Sequence, residues 1–277
     1  MPRRSLQLAL GGLAIALALG GCGTALQTMF DPVVLKVERS TEYYDVRGAT
    51  SDEILEYLDT HSLTDAQGRR LAGSTKSSWR LLWSAYPQST SCYLQKLTIL
   101  LTLVVTLPRH EYVDGLPGEA RVNWDRLVMH IAEHEQRHVD IELETARKLE
   151  DQIRVMPTAA SCGVLQYEID GASQALRAEA RRAHGRFHIE DAVRRQAERA
   201  PLQALIDTNR GRFAIVESEI WGLDRVLADL VRHRAVTQSD NALERDEAMS
   251  RKAKLQEEST ELRATIDSLV ERYKFTW

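Results

Sequence analysis

The chain has 277 residues, enough for one sizeable core plus an appendage. Its formal net charge is -4, with 6% aromatic residues and no basic block. That balance argues against a nucleic-acid partner.

Arg3 and Arg4 precede an apolar run from Leu6 to Leu19, too short for a typical membrane span. The run ends Leu19-Gly20-Gly21-Cys22, which resembles the lipobox of bacterial lipoproteins. This implies a signal peptide over 1–21, cleavage before Cys22, and acylation of the Cys22 sulfur and new amino group. Gly23, not Asp, follows the cysteine, which implies an outer-membrane anchor with the folded part facing the periplasm. An ordinary secretory signal or an uncleaved anchor is the alternative, and either also places the folded part outside the cytoplasm.

Residues 22–32 read as a tether. Val33 to Val37 and Tyr43 to Val46 read as strands, broken at Gly48. Thr50-Ser51-Asp52-Glu53 opens a helix continued by Ile54, Leu55 and Leu58. His61 to Gly73 is polar and loop-like. Ser78 to Trp83 is a further strand, and Tyr93 to Leu107, rich in Leu, Ile, Val and Thr, is the central one. Arg109 to Glu119 is a Gly/Pro loop.

The sharpest motif follows: His134-Glu135-Gln136-Arg137-His138. A helix is expected from an Asn123 N-cap to about Arg154, before Pro157. Trp124, Leu127, Ile131 and Ile141 recur at helical spacing, and His134 and His138 share that stripe. Two histidines four apart project from one face and can share a metal, with Glu135 beside them to take a proton from water. Zn2+ is the expected ion; a buried structural histidine pair is the bland alternative.

With Cys22 lipidated, Cys92 and Cys162 remain, and an exported protein can pair them. A helix from about Val164 to Ala183 should pack on the motif helix and end at His184-Gly185, with Gly185 as C-cap. From about Ala192 the chain is charged and helical. Val216, Ile220, Leu223, Leu227 and Leu230, then Leu255, Ser259, Leu262, Ile266 and Leu269, mark two helices on either side of a polar turn at Thr237 to Asn241. They read as an antiparallel coiled-coil hairpin, either a brace or an arm for a protein partner or self-association. Tyr273, Phe275 and Trp277 are placed to dock on the core or on another chain.

The order of features resembles the bacterial family of predicted secreted zinc-dependent proteases. The matching elements are Tyr44 to Gly48, Thr50 before a helix, a Trp-containing strand and Cys92. They continue with Leu107-Pro108, Trp124 before the HExxH, Cys162, and a later His-Gly at His184. The resemblance covers roughly residues 33 to 190. The chain departs from the family at Ala178-Glu179 and Arg182, where the family carries Tyr-Asp and Thr.

A catalytic zinc takes three protein ligands. Glu142 and His130 are each eight residues from one motif histidine, about 12 Å along a helix, too far to join the pair. The resemblance makes His184 the expected third ligand, with Glu168 and His188 as alternatives. Tyr167 or His188 could help to stabilise an oxyanion.

The expected fold is α+β: a small β-sheet packed on the HExxH helix and a second helix, then a long antiparallel helical hairpin. A zincin-like metalloprotease domain spans 33–190 and the hairpin 191–277. The expected function is zinc-dependent hydrolysis of peptide bonds in a peptide or protein substrate, with Glu135 as general base, at a membrane reached through the lipid on Cys22. The alternative is a lipid-anchored interaction protein with a structural or degenerate zinc site.

Overall fold

A computed structural model describes residues 32–237 and 242–276. Cys22, the signal segment, the turn around residues 238–241 and Trp277 lie outside the described residues.

The architecture is α+β. Strand β1 (Val33–Val46) is followed by α1 (Ser51–His61), a minor hairpin of β2 (Leu63–Thr64) and β3 (Arg70–Leu71), and then β4 (Ser74–Gln88) and β5 (Ser91–His110). The long helix α2 (Gly118–Arg154), the short strand β6 (Thr158–Ala159), helix α3 (Cys162–Thr237) and helix α4 (Ala242–Lys274) complete the chain.

β5 is central, parallel to β1 on one side and antiparallel to β4 on the other, and β6 pairs with its first residues. Its apolar run alternates as a half-buried strand should: Leu97, Ile99, Leu101 and Leu103 are fully buried, while Thr98, Thr102 and Thr106 lie on the other face. The buried face packs on α2 through Val139, Ala146, Leu149 and Ile153, and on α3 through Leu165 and Ile169. The two stretches expected as separate strands near the start form one strand, β1, because the polar residues between them keep pairing with β5.

Gly48 follows β1 at φ 138°, and a Cβ there would meet the Ile54 amide nitrogen at 2.7 Å. The chain turns there into α1, whose N-cap is Thr50 with its side chain accepting from Glu53.

Three sequence expectations are corrected. The motif helix starts at Gly118, not Asn123; Asn123 is buried inside it and donates to Ser51 Oγ at 3.2 Å, so it joins α2 to α1 and caps nothing. His61 to Gly73 is not all loop but carries the β2–β3 hairpin. Gly185 does not end a helix: α3 runs on to Thr237, past the expected domain boundary at 190 and through Pro201. The helix that follows the motif helix and the first arm of the hairpin are therefore one element.

The arm is antiparallel. Arg212 pairs with Glu258, Glu217 with Ser259 and Glu219 with Arg251. Val216 and Leu262 are buried in the seam, and the other expected heptad positions are half-buried around them. Its root is fixed to the core. Phe275 is fully buried among Val46, Ile54, Leu58, Trp124, Leu127 and Ile131, and Arg199 Nε donates to the Thr276 carbonyl at 2.6 Å. Among the described residues, no helix is long and apolar enough to cross a membrane.

Candidate metal centre

The centre lies where α2 and α3 cross the end of the sheet. The two helices run antiparallel. Moving one turn back on α2, from His138 to His134, moves the facing residue one turn on along α3, from His184 to His188. His134 and His138 share the α3-facing side of α2, as their four-residue spacing requires. Their Nε2 atoms are 3.3 Å apart.

His188 completes the cluster. One ligand atom each from His134, His138 and His188 can be chosen so that all lie within 4.8 Å of one another. His134 and His138 are half-buried and His188 is exposed, so the cluster opens to solvent on the α3 side. Phe187 closes the neighbouring face, its ring centroid 4.8 Å from that of His134 and 5.1 Å from that of His138.

His184, the expected third ligand, takes a different place. Its Nδ1 is 2.8 Å from His138 Nδ1 and its Nε2 is 2.9 Å from Glu142 Oε1, so it stands behind His138. The reason is the helix register: with α3 continuous through Gly185, His188 reaches the gap between the motif histidines while His184 meets the outer edge of His138. Glu168 is twenty residues from His188 on the same helix, about 30 Å away along its axis. Tyr167, beside it, is 80% exposed and equally remote, which removes it as an oxyanion helper.

Each motif histidine is held from behind. His134 Nδ1 lies 3.0 Å from Asp191 Oδ2. Asp191 is 4% exposed and also accepts from Arg194 and Arg195. Burial opposes its ionisation, but the Arg194 hydrogen bond and the charges of His134 and Arg195 hold its pKa below the ordinary aspartate value. Asp191 can only accept, so the proton on His134 sits at Nδ1 and Nε2 is bare.

The ring protons are disfavoured throughout the cluster. Burial, followed by the neighbouring imidazoles, pulls His138 down to about 3. Burial lowers His134 against the pull of Asp191, and it lowers His188 together with the charges of His184, Arg195 and Arg69. Neutral imidazoles with bare nitrogens turned on one another are a donor set for a cation. Three imidazoles with one open side fit a zinc ion.

Glu135 faces β4. It is 4% exposed, and Thr75 Oγ1 donates to its Oε2 at 2.8 Å. Burial raises its pKa, partly offset by that hydrogen bond. Gly73 lies directly against it: a Cβ there would sit 2.9 Å from Glu135 Oε1 and 2.7 Å from Ile131 Cγ2. The carbonyl of Ala72, one residue earlier, accepts from Tyr44 Oη at 2.8 Å. His130 makes only a loose 3.8 Å contact with Glu133 and stays outside the cluster.

Cys92 and Cys162 form a disulfide, with S–S 2.02 Å and Cα–Cα 5.0 Å. It ties the first turn of α3 to the start of β5.

Sequence reasoning missed Asp191, Thr75 and Gly73. Asp191 had a readable signal: His184, His188 and Asp191 stand at i, i+4 and i+7, one stripe of a helix that continues past Gly185. Thr75 and Gly73 had none, since their role depends on how β4 enters the sheet.

No curated protein and no solved structure matches the chain. Residues 41–194, more than half of the chain and the stretch holding His134, Glu135, His138, His184, His188 and Asp191, match the family described as "Bacterial protein of unknown function (DUF922)", and the chain belongs to that family.

Proposed function

We propose that the chain is a zinc-dependent peptidase of the bacterial cell envelope, anchored by a lipid on Cys22. In this reading His134, His138 and His188 hold the metal and Glu135 is the general base. The observation that carries it is the meeting of three imidazole ligand atoms within 4.8 Å, two of them from the helix that also bears the buried Glu135. The sequence resemblance to predicted secreted zinc-dependent proteases and the disulfide support the same reading.

A zinc ion bound there would acidify water and polarise a scissile carbonyl. Glu135 accepts the proton of the attacking water and returns it to the leaving amine. Burial makes it a stronger base than a solvated glutamate, and Thr75 holds one of its oxygens by donating to Oε2. Asp191 keeps the His134 proton on Nδ1.

The test uses the full chain purified in detergent. Wild type should hold about one zinc per chain, as a three-ligand catalytic site requires. His134→Ala and His188→Ala should lose it. Glu135→Gln should keep the zinc and lose hydrolysis of a quenched-fluorescent peptide library. Chelation should abolish that hydrolysis and zinc should restore it. Wild-type protein that takes up no zinc after reconstitution would sink the peptidase reading and leave the envelope interaction protein.

A further inference from the structure

We infer that Trp79, Glu142 and His184 form a relay that positions His138 for metal binding, so that His184 acts through its neighbour and is not a ligand. The inference rests on the metal-site reading above.

The chemistry of the chain of contacts leaves one arrangement. Trp79 Nε1 can only donate, and it lies 2.9 Å from Glu142 Oε2. Glu142 is 8% exposed, and its other oxygen, Oε1, is 2.9 Å from His184 Nε2. A carboxylate only accepts, so His184 carries a proton on Nε2, and as an imidazole with a single ring proton it leaves Nδ1 bare. That bare Nδ1 is 2.8 Å from His138 Nδ1, which must therefore be the donor. His138 is left with its proton on the outer nitrogen and a bare Nε2 aimed at His134 Nε2, 3.3 Å away. Asp191 imposes the same tautomer on His134 directly. Two buried carboxylates, one on each helix, thus turn two bare nitrogens onto one point. Histidine ligands are commonly oriented by a carboxylate this way; here an imidazole is interposed on one side.

The alternative role for His184, direct ligation, would require it to leave both Glu142 and His138. Trp79 and His184 each hold one oxygen of Glu142, with Ser77 a further donor to it, so that departure would cost the Glu142–His184 bond as well as the one to His138.

Zinc affinity, stoichiometry and the visible spectrum of the cobalt-substituted full chain test the relay, with melting curves as a check on folding. His184→Phe keeps the ring volume and removes the acceptor. It should weaken zinc about 10- to 100-fold while keeping about one metal per chain and the wild-type cobalt spectrum. His184→Gln supplies a carbonyl that can accept from His138 Nδ1 and should recover much of the loss. Glu142→Gln is isosteric but offers one acceptor to two donors, and it should weaken zinc as His184→Phe does. The double variant His184→Phe/Glu142→Gln should be little weaker than either alone, because the two residues act in series. His188→Phe should abolish stoichiometric binding.

Wild-type affinity in His184→Phe would overturn the relay. So would equal losses in His184→Phe and His184→Gln at unchanged melting temperature, which would mark a packing role. Loss of the cobalt spectrum in His184→Phe with retention in His188→Phe would make His184 the ligand. An absence of zinc in wild type would instead remove the peptidase reading, and the relay with it.

Discussion

Gly73 and Thr75 together set how the Glu135 side chain is held. Glu135 is buried, and a buried carboxyl needs both a hydrogen-bond donor and room for its chosen rotamer. Thr75 supplies the donor and Gly73 the room. In Gly73→Ala the new methyl would meet Ile131 Cγ2 and Glu135 Oε1, both closer than van der Waals contact allows. Ile131 packs against Trp124 and Leu127 and cannot withdraw, so Glu135 must turn. His134, His138 and His188 are not touched. Gly73→Ala should therefore keep wild-type zinc content while peptide hydrolysis falls, on the order of 100-fold if the carboxylate moves by about 1 Å. Zinc content and kcat measured on the same preparation check it. Lost zinc together with lost activity would instead mean that the whole α2–β4 contact had shifted.

At the scale of elements, the disulfide and the register of two helices decide what the site contains. Cys92 and Cys162 are 70 residues apart, and the loop they close holds all of α2. Closing a loop of that length stabilises a fold by about 4 kcal/mol in the chain-entropy description. Reduction, or the double change Cys92→Ala/Cys162→Ala, should lower unfolding stability by about 2–5 kcal/mol in urea titration. It should also loosen the entry of α3, whose next turns carry Leu165 and Ile169 into the core. Much of this level was legible in the sequence. The alternating apolar run gave β5, the four-residue histidine spacing gave the α3-facing side of α2, and the cysteine count gave the bridge. What was not legible was continuity. His184-Gly185 reads as a helix end because glycine is frequent at C-caps, yet nothing local forces a stop, and packing on α2 carries the helix through. That one difference puts His188, and not His184, within 4.8 Å of both motif histidines and brings Asp191 behind His134. His188 was among the alternatives the sequence offered, but the choice between it and His184 depends on the antiparallel offset of α2 and α3, which no short motif encodes.

At the scale of the molecule, the helical arm is continuous with the metal centre at one end and clamped beside it at the other. α3 carries His184, His188 and Asp191 and then leaves the core; α4 returns along it, and Phe275 enters the cluster formed by α1, the start of α2 and the end of β1. Arg199 and Thr276 close the root, with the Arg199 guanidinium 5.2 Å over the Tyr273 ring and Lys274 paired with Asp52 of α1. From that root the arm extends for the 33 residues of α4, roughly 50 Å at 1.5 Å per residue. An arm anchored only through α3 could swing about Pro201, where the Ala197 carbonyl has no amide to accept from. The second anchor removes that freedom and makes Phe275 part of the core that carries the motif helix. Phe275→Ala should therefore cost about 3–5 kcal/mol, the usual range for a buried phenylalanine. It should do so in the transition that unfolds the sheet and α2, because its neighbours Trp124, Leu127 and Ile131 belong to that helix. Trp124, 4% exposed, is in contact with the lost ring, and a tryptophan-fluorescence melt should shift together with the far-ultraviolet helix signal. A helix signal that melts early while the tryptophan transition stays at its wild-type midpoint would mean that the arm folds and unfolds independently of the core, and that the docking of Phe275 contributes little to holding the metal centre.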